Sequence, residues 1–319
     1  MEKEFPGGIW PVMVTPFHRT GEIDYEGLGQ LVNWYVDHGC DGLFGVCQSS
    51  EMFYLSLDER VHLAEAVVKE AKGRLPVIVS GHIADREEEQ VEEINRMAET
   101  GVDAVILLTN RFASEEESDT VWRERCSRFL RKIDPQIPLG FYECPYPYKR
   151  LMSLENLDWC AQMGRFYFLK DTCCDLMQIE ARLKVLEKTP LKLYNANSAT
   201  LLESLKKGAW GFCGVMANFH PELYTYLYHH RDEKDISLLQ DFLSIAAWIE
   251  RQYYPVNAKY HLQKCEGISM ETYSRKQDDL KMTQTWKREV EMLEELAIVV
   301  EDYYKKKHMG GRDETGGNW

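Results

Sequence analysis

The residue with the clearest chemical potential in this sequence is a lysine at the end of an apolar run. Lys170 follows residues 166–169, which have the apolar character of a buried strand. Burial disfavours the charged ammonium, and only the neutral amine attacks a carbonyl. A lysine in this place is therefore suited to forming a Schiff base. The alternative is a lysine that reaches solvent or pairs with the adjacent Asp171.

A tyrosine stands at the end of a second apolar run. Tyr142 closes the segment 139–142, and its phenol could both donate and accept protons. Carbinolamine formation, dehydration and carbon–carbon cleavage each require proton transfer near the reacting carbon, so a tyrosine beside the lysine would be useful. The alternative is a core tyrosine whose hydroxyl is satisfied inside the protein.

A polar turn at residues 47–51 is a candidate site for a carboxylate. Ser49 and Ser50 offer hydroxyls and backbone N–H groups ahead of a helix predicted to begin at Ser56, where Glu59 completes a capping box. Such a turn can bind an anion without an arginine. This interpretation depends on a fold that brings the turn close to Lys170.

The elements that must position these residues follow a repeated pattern. An amphipathic helix ends at a glycine and is followed by a short apolar run, which indicates βα repetition. Eight strands are predicted, at residues 9–15, 42–46, 77–81, 104–108, 139–142, 166–170, 192–195 and 211–214. We therefore predict an α/β fold, a (β/α)₈ TIM barrel, whose active site lies at the C-terminal ends of the strands. A doubly wound sheet is the competitor, but the sequence has neither a GxGxxG fingerprint after the first strand nor a P-loop.

The chain divides into three predicted segments. Residues 1–222 form the barrel, and residues 223–304 form a helical extension with apolar positions such as Leu239 and Leu243. Residues 305–319 are polar and rich in glycine, which predicts a flexible tail.

Composition excludes several classes of function. The chain has 52 acidic and 38 basic residues, and its formal charge of -14 disfavours nucleic acid and membrane surfaces as partners. It shows no targeting signal, and its nine cysteines without a CxxC pair favour a cytoplasmic location. We find no HExxH motif, paired histidine cluster or Ser/His/Asp arrangement, so no metal or cofactor is expected.

Several short motifs carry a family resemblance. They are Val14-Thr15-Pro16-Phe17, Asp41-Gly42-Leu43, Leu55-Ser56 with Glu59, Phe141-Tyr142 with Pro145, Leu169-Lys170-Asp171, and Gly208-Ala209 with Gly211. In their order and spacing, residues 7 to 225 resemble the dihydrodipicolinate synthase and N-acetylneuraminate lyase family of pyruvate-dependent class I aldolases. The resemblance implies that Lys170 is the Schiff-base lysine, that Tyr142 is the proton shuttle, and that the assembly is a homotetramer.

The sequence also departs from this family. The usual Gly-Thr-Thr-Gly-Glu loop is replaced by residues 47–51, where Gln48 takes the place of the first hydroxyl residue. Phe112 lies where a synthase often lends a tyrosine to its neighbour, and Pro147 lies where a synthase has an arginine. The loop at residues 196–199 lacks the acidic pair of a sialic acid lyase. Neither dihydrodipicolinate synthesis nor sialic acid cleavage is expected.

The leading hypothesis is a lyase that cleaves or forms a carbon–carbon bond of a pyruvate-like 2-oxo acid through a Lys170 imine. Ser49 and Ser50 would hold the carboxylate, in a pocket that Gln48, Tyr146, Tyr148, Asn197 and Cys213 would line. A hydratase or dehydratase using the same imine stays open. So does a catalytically impaired binding or regulatory protein, because Gln48 and Phe112 stand at relay positions. A homo-oligomer, either dimer or tetramer, is expected.

Overall fold

A computed structural model describes residues 4–310 of the chain, in which strands and helices alternate. The strands are β1 (Gly8–Ile9), β2 (Leu43–Val46), β3 (Val77–Val79), β4 (Ala104–Leu108), β5 (Leu139–Tyr142), β6 (Phe166–Asp171), β7 (Lys192–Asn195) and β8 (Gly211–Phe212). The helices are α1 (Tyr25–Asp37), α2 (Leu57–Ala71), α3 (Glu87–Ala98), α4 (Asp119–Leu130), α5 (Leu154–Ala161), α6 (Leu176–Leu186), α7 (Leu201–Lys206), α8 (Pro221–His229), α9 (Ser237–Ala246), α10 (Val256–Lys264) and α11 (Gln284–Gly310).

The strands form one parallel barrel. Their order is β1-β8-β7-β6-β5-β4-β3-β2, and every pair is parallel. A parallel bridge between Val12 and Phe44 joins the segment after β1 to β2, and the Phe44 N–H donates to the Pro11 carbonyl at 3.0 Å. The predicted (β/α)₈ barrel is therefore confirmed.

The first and last strands are shorter than the sequence predicted. β1 covers only Gly8–Ile9 and β8 only Gly211–Phe212, against predictions of residues 9–15 and 211–214. Pro11 explains the early end of β1 because it has no N–H to donate to the ladder. Gly211 permits the close approach of these two strands, since a Cβ there would lie 2.0 Å from the Gly8 carbonyl oxygen.

Local capping sets the start of the helix that follows the polar turn. The Glu59 N–H donates to the Ser56 hydroxyl at 3.2 Å, and the Ser56 N–H donates to the Glu59 carboxylate at 2.8 Å. This is the predicted capping box, which satisfies two N–H groups that the first turn leaves free. It fixes where α2 begins and how the preceding turn leaves the barrel.

Aromatic rings fill the barrel below the lysine. Phe168 stacks on Tyr194 with centroids 3.9 Å apart and meets the edge of Trp10 at 5.1 Å. Alternate residues of a strand share one face, so Lys170 lies on the same face of β6 as Phe168, one layer nearer the C-terminal rim. The packed rings close the barrel from below and leave the lysine facing its mouth.

The C-terminal helices pack against the barrel as the sequence predicted. Tyr304 of α11 is buried, and its hydroxyl accepts the Leu239 N–H of α9 at 3.0 Å. The predicted boundary at residue 222 falls inside α8, whose Tyr224 stacks on Phe212 of β8 at 4.3 Å. The predicted tail falls partly in α11, which runs to Gly310, and residues 311–319 lie outside the described residues. No helix in residues 4–310 is both long and apolar enough to cross a bilayer.

Candidate active site

Lys170 and Tyr142 lie side by side on neighbouring strands. They are register partners in the β5–β6 pair, and the Lys170 Nζ is 4.4 Å from the centre of the Tyr142 ring. Both residues are 4% exposed. Lys170 therefore does not extend into solvent, which rules out one of the alternatives that its sequence position left open. The structure thus brings together the amine and the phenol that the sequence singled out.

A buried ionic cluster fixes the ends of these two strands. Arg182 of α6 binds the Glu143 carboxylate at 2.9 Å and also pairs with the carboxylate of Asp171. Glu143 directly follows Tyr142, and Asp171 directly follows Lys170. Asp171, the alternative partner of Lys170, is therefore engaged by an arginine. We refer to Arg182, Glu143 and Asp171 as the Arg182 cluster.

The Tyr142 hydroxyl is directed at the polar turn. It donates to the Gln48 side-chain oxygen at 3.2 Å. Burial, with smaller contributions from neighbouring cysteines, raises the pKa of Tyr142 well above its ordinary value. The phenol is therefore neutral at physiological pH and can act as a proton donor. An amide has little acid–base activity, so Gln48 can orient this phenol but cannot relay its proton further.

The polar turn uses Ser50 for its own structure. The Ser50 hydroxyl lies 2.7 Å from the Met13 carbonyl oxygen and accepts the Cys47 N–H at 3.1 Å, while Thr15 donates to the Ser50 carbonyl at 2.8 Å. Ser50 is fully buried and does not line the cavity beside Lys170. Ser49 does line it. Two adjacent serines with the same predicted role therefore differ in position.

The same turn is anchored to the C-terminal extension by a buried ion pair. Glu51 has a left-handed backbone (φ 60°), and its carboxylate accepts from the Lys259 Nζ at 2.7 Å. It also accepts from the Ser274 hydroxyl at 2.8 Å and the Lys276 N–H at 2.9 Å. Burial lowers the pKa of Lys259, and the carboxylate of Glu51 opposes this shift. These contacts hold the extension against the mouth of the barrel.

Barrel and extension together enclose a cavity of about 260 Å³ at the C-terminal rim. Its lining residues are Gln48, Ser49, Tyr142, Pro145, Lys149, Lys170, Thr172, Cys174, Ala196, Asn197, Gly214, Val215, Glu250, Tyr254, Pro255 and Lys276. Four of them, Glu250, Tyr254, Pro255 and Lys276, belong to the segment after α9. The extension is therefore part of the cavity wall. Three lysines and one glutamate give the lining an excess of positive charge.

Glu250 is a titratable residue that the sequence analysis missed. Burial raises the pKa of its carboxyl to about 7, although the charges of Lys170 and Arg251 act in the opposite direction. A carboxyl with this pKa can give or take a proton near neutral pH. No sequence signal marked it, because Glu250 lies in a helical segment with no strand end to suggest its location.

Tyr254 is the second residue that the extension adds. Burial raises the pKa of Tyr254 well above its ordinary value, and the neighbouring Ser49 opposes this shift. The Asn218 side-chain amide donates to the Tyr254 hydroxyl at 3.4 Å. Tyr254 and Ser49, the one serine of the turn that faces the cavity, line the same cavity wall.

Several predicted pocket residues lie elsewhere. Cys213 is fully buried behind the cavity wall, and burial raises the pKa of its thiol to about 12. Tyr146 packs on Phe53 at 4.8 Å, and the Tyr148 hydroxyl donates to the Asn110 carbonyl at 2.7 Å. Of the five residues predicted to line the pocket around the substrate, Asn197 and Gln48 do line the cavity.

Phe112, which stands at a relay position of the family, is a core residue. It is 2% exposed and packs against Trp122 at 5.5 Å and Phe129 at 5.4 Å. Its ring therefore contributes to the hydrophobic core of its own chain and does not line the cavity.

Fold and site together define the class of protein, a (β/α)₈ barrel of the aldolase type. Residues 5–290 match the Dihydrodipicolinate synthetase family. The chain belongs to this family, which confirms the resemblance and supports a lyase at the level of the family.

Curated relatives share about a quarter of their residues with the chain. It is 28% identical over 221 residues to the 4-hydroxy-tetrahydrodipicolinate synthase of Roseobacter denitrificans, covering 69% of this chain and 73% of that protein. It is 26% identical over 217 residues to the enzyme of the same name from Bacillus subtilis, covering 66% and 71%.

Solved structures confirm the fold. The dihydrodipicolinate synthase of Acinetobacter baumannii, complexed with pyruvate, superimposes with a TM-score of 0.80 at 20% identity, covering 91% of this chain and 98% of that one. YagE, a prophage protein of Escherichia coli in complex with pyruvate, gives a TM-score of 0.81 at 17% identity, with the same coverages of 91% and 98%. At these identities the likeness concerns the barrel and not the substrate.

Proposed function

We propose that the protein is a class I lyase in which Lys170 forms an imine with a pyruvate-like 2-oxo acid, so that a carbon–carbon bond is cleaved or formed. The observation that carries this proposal is the pairing of a buried amine with a buried phenol, 4.4 Å from Nζ to ring centre, in the wall of one cavity. Both groups line the same cavity. The amine is a nucleophile in its neutral form, and the neighbouring phenol supplies a proton donor.

The chemistry assigns a role to each group. The Lys170 amine adds to the 2-oxo carbon, and loss of water gives the imine. In the cleavage direction, Tyr142 accepts the proton of the hydroxyl on the fourth carbon, whose oxygen forms the carbonyl of the leaving aldehyde. The bond between the third and fourth carbons breaks, and its electrons move toward the protonated imine nitrogen to give an enamine. A proton then returns to the third carbon, and water hydrolyses the imine to release the 2-oxo acid and the free lysine. Tyr142 carries protons in these steps.

The carboxylate of the acid is held at the polar turn. Ser49 provides the hydroxyl that faces the cavity, because the hydroxyl of Ser50 is engaged by backbone groups. Lys149 and Lys276 add positive charge to the cavity lining. This charge favours an anionic substrate and raises its local concentration at the site.

The acceptor aldehyde is proposed to differ from that of a dihydrodipicolinate synthase. The relatives carry that name, but this chain has Pro147 where a synthase has an arginine for its second substrate. Gln48 also replaces the first hydroxyl of the usual loop and binds the Tyr142 hydroxyl. A small cavity of about 260 Å³ suits a short 2-oxo acid with a compact acceptor.

Trapping the imine tests the proposal directly. The protein is incubated with pyruvate and borohydride, and the adduct is located by intact-protein mass spectrometry and peptide mapping. We expect one stable adduct per chain on Lys170, and none in Lys170→Arg, which keeps the positive charge but cannot form the imine. Lys192→Arg is the matched control, because Lys192 lies on the adjacent strand β7 with its Nζ 4.6 Å from the Trp210 ring. Folded protein that gives no adduct with any 2-oxo acid would overturn the proposal.

A second candidate is a 2-oxo acid binding or regulatory protein with impaired turnover. The hydrogen bond from Tyr142 to the Gln48 amide favours it, because this amide ends the proton path. The variant Gln48→Thr, which restores a hydroxyl beside Tyr142, distinguishes the two candidate functions. An impaired protein would gain turnover in this variant, whereas a lyase adapted to glutamine would lose it. Product analysis separates bond cleavage from a hydratase or dehydratase reaction through the same imine.

A homo-oligomer is part of the proposal. Helix α11 exposes Leu296, Ile298, Val299 and Tyr303, each at least half exposed. Apolar side chains clustered on one surface helix are typical of an association surface. Light scattering after gel filtration distinguishes a monomer from a dimer or tetramer.

A further inference from the structure

Two histidines and a glutamate from distant parts of the sequence meet beneath the C-terminal helix. His220 precedes α8, His261 lies in α10 and Glu294 lies in α11. The Glu294 Oε2 is 3.5 Å from the Nδ1 of His220 and 3.9 Å from the Nδ1 of His261. One ligand atom from each of the three residues falls within 4.8 Å of the other two. The histidines are 1% and 0% exposed, so this is an interior cluster.

The hydrogen bonds of His261 leave one ring nitrogen available toward Glu294. Its Nε2 lies 2.9 Å from the Phe219 carbonyl oxygen and 3.5 Å from a Glu266 carboxylate oxygen. A proton on Nε2 leaves a lone pair on Nδ1, which faces Glu294. Metal-binding histidines are usually oriented in this way, with the second nitrogen donating to a carbonyl or carboxylate.

Both imidazoles also carry a buried nitrogen without a partner. Among residues 4–310, neither the Nδ1 of His261 nor the Nε2 of His220 has a hydrogen bond. Buried polar atoms are rarely left unpaired, because each costs the free energy of its lost hydration. The Nδ1 of His261 is the one of these two atoms that faces Glu294, and it points to a ligand that binds an imidazole nitrogen.

We propose that His220, His261 and Glu294 form a binding site for a divalent transition-metal ion, with zinc the best match. Two imidazole nitrogens and a carboxylate oxygen are a common zinc ligand set, whereas magnesium and calcium prefer oxygen ligands alone. Zinc–ligand distances of about 2.0–2.2 Å place tetrahedral ligands about 3.3–3.5 Å apart. The observed separations reach that geometry after small rotations of the two rings and the carboxylate.

The surrounding charges suit a cation. The carboxylates of Glu266 and Glu301 both repel the negative charge of Glu294. Glu266 also accepts the Trp34 indole N–H at 2.8 Å. Lys305 pairs with Glu301 and neutralises part of this charge. A divalent ion would compensate the remaining negative charge in an interior where isolated carboxylates are costly.

The site has a structural role in this proposal. Its ligands come from the segment after β8, from α10 and from α11, so a bound ion links the barrel to two helices of the extension. Since the unfolded chain does not hold the three ligands together, the ion binds the folded state preferentially and stabilises it. This inference does not depend on the proposed imine chemistry.

Metal analysis of the full-length protein tests the site. The protein is stripped with a chelator, dialysed against zinc and passed through a desalting column before elemental analysis. We expect close to one retained zinc per chain and, at zinc about a hundred times its Kd, a rise in Tm of roughly 5 °C that a chelator reverses. Cobalt in place of zinc is expected to give the visible absorption of a tetrahedral ion.

Variants locate the ion. His261→Gln and Glu294→Gln are each expected to weaken zinc binding at least about ten-fold, as even the loss of an outer-shell partner does. His62→Gln and Glu295→Gln are the matched controls, because both residues are exposed and lie outside the cluster. Zinc retention that is unchanged in both cluster variants would overturn the proposal. If these variants do not fold, the test is the response of the wild-type Tm to zinc. A wild-type Tm that does not change with zinc would rule out the site.

Discussion

Two buried ionic groups support the cavity, and they do so from opposite sides. The Arg182 cluster lies between the barrel strands and the surrounding helices, where one arginine of α6 holds the residues that follow Tyr142 and Lys170. The pair of Lys259 with Glu51 instead connects the polar turn to the extension. The first group positions Lys170 and Tyr142, the proposed reacting residues, whereas the second shapes the cavity at the polar turn.

The two groups also differ in the number of charges that loss of the cation leaves unpaired. Arg182 faces two carboxylates, so its removal leaves two negative charges in an interior where its own side chain is 3% exposed, although backbone N–H groups still donate to Glu143 and Asp171. Glu51 keeps its bonds to the Ser274 hydroxyl and the Lys276 N–H when Lys259 is lost. Loss of one partner of a buried pair is costly in proportion to the charge that stays uncompensated.

The largest effect is expected for Arg182→Met. Two uncompensated carboxylates should lower the free energy of unfolding by about 3–5 kcal/mol, and imine trapping should fall because Tyr142 and Lys170 lose their common support. Urea unfolding and borohydride trapping measure the two effects. Arg125→Met is the control, because Arg125 also pairs with a carboxylate, that of Glu117, but is 42% exposed. It should cost less than about 1 kcal/mol. Equal costs in both variants would contradict the role of the Arg182 cluster.

A smaller effect is expected for Lys259→Met. Glu51 keeps two hydrogen bonds, so the free energy of unfolding should fall by about 2–3 kcal/mol. KM for the 2-oxo acid should rise more than kcat falls, since the turn and the Lys276 segment loosen while Lys170 stays in place. The double variant Lys259→Met with Glu51→Gln removes the unpaired charge and should recover part of the stability. If Lys259→Met lowered imine trapping at saturating pyruvate as much as Arg182→Met does, the two groups would not have separate roles.

The sequence was sufficient to predict the positions of Lys170 and Tyr142 in the barrel, but not those of the cavity residues that the extension contributes. Lys170 and Tyr142 end apolar runs, and parallel strands bring their ends to one rim, so strand pattern alone places both residues. The helical periodicity of the extension shows which face of each helix is buried. It does not show which part of the barrel that face covers, so Glu250 and Tyr254 could not be found.

Two residues of the same type can also have different surroundings, because the backbone directs their side chains to different places. Ser49 and Ser50 are equivalent in the sequence, but the bonds of the turn direct the Ser50 hydroxyl to the Cys47 N–H and the Met13 carbonyl. Only Ser49 remains for the cavity. His220 and His261 likewise carry no local signal, because their approach depends on the packing of two helices.

Glu250→Gln is expected to lower kcat/KM about 100-fold, the lower end of the usual contribution of one proton-transfer group. Since the carboxyl has a pKa of about 7 in the folded protein, it changes from acid to base in that region. We expect kcat/KM of the wild type to rise as pH passes through 7, and this rise to vanish in the variant.

Stability provides the internal control for Glu250. A carboxyl whose pKa is raised on folding destabilises the folded state once the pH exceeds its ordinary value of 4.5, because its ionisation is opposed by burial. The glutamine variant should therefore be at least as stable as the wild type at pH 8. A variant that loses activity together with stability would show that Glu250 acts through the fold and not through protons.

The smallest effect is expected for Tyr254→Phe, which removes only a hydroxyl that neighbours Ser49 and accepts from the Asn218 amide. One neutral hydrogen bond contributes about 0.5–1.5 kcal/mol, so KM should rise by about two- to ten-fold with little change in kcat. Tyr224→Phe is the matched control, because the Tyr224 hydroxyl bonds to Ser198 at 2.6 Å and neither residue lines the cavity. If Ser49 acts through Tyr254, the effects of Ser49→Ala and Tyr254→Phe on KM should be less than additive. Full additivity would mean that the extension closes the cavity without orienting the serine that binds the carboxylate.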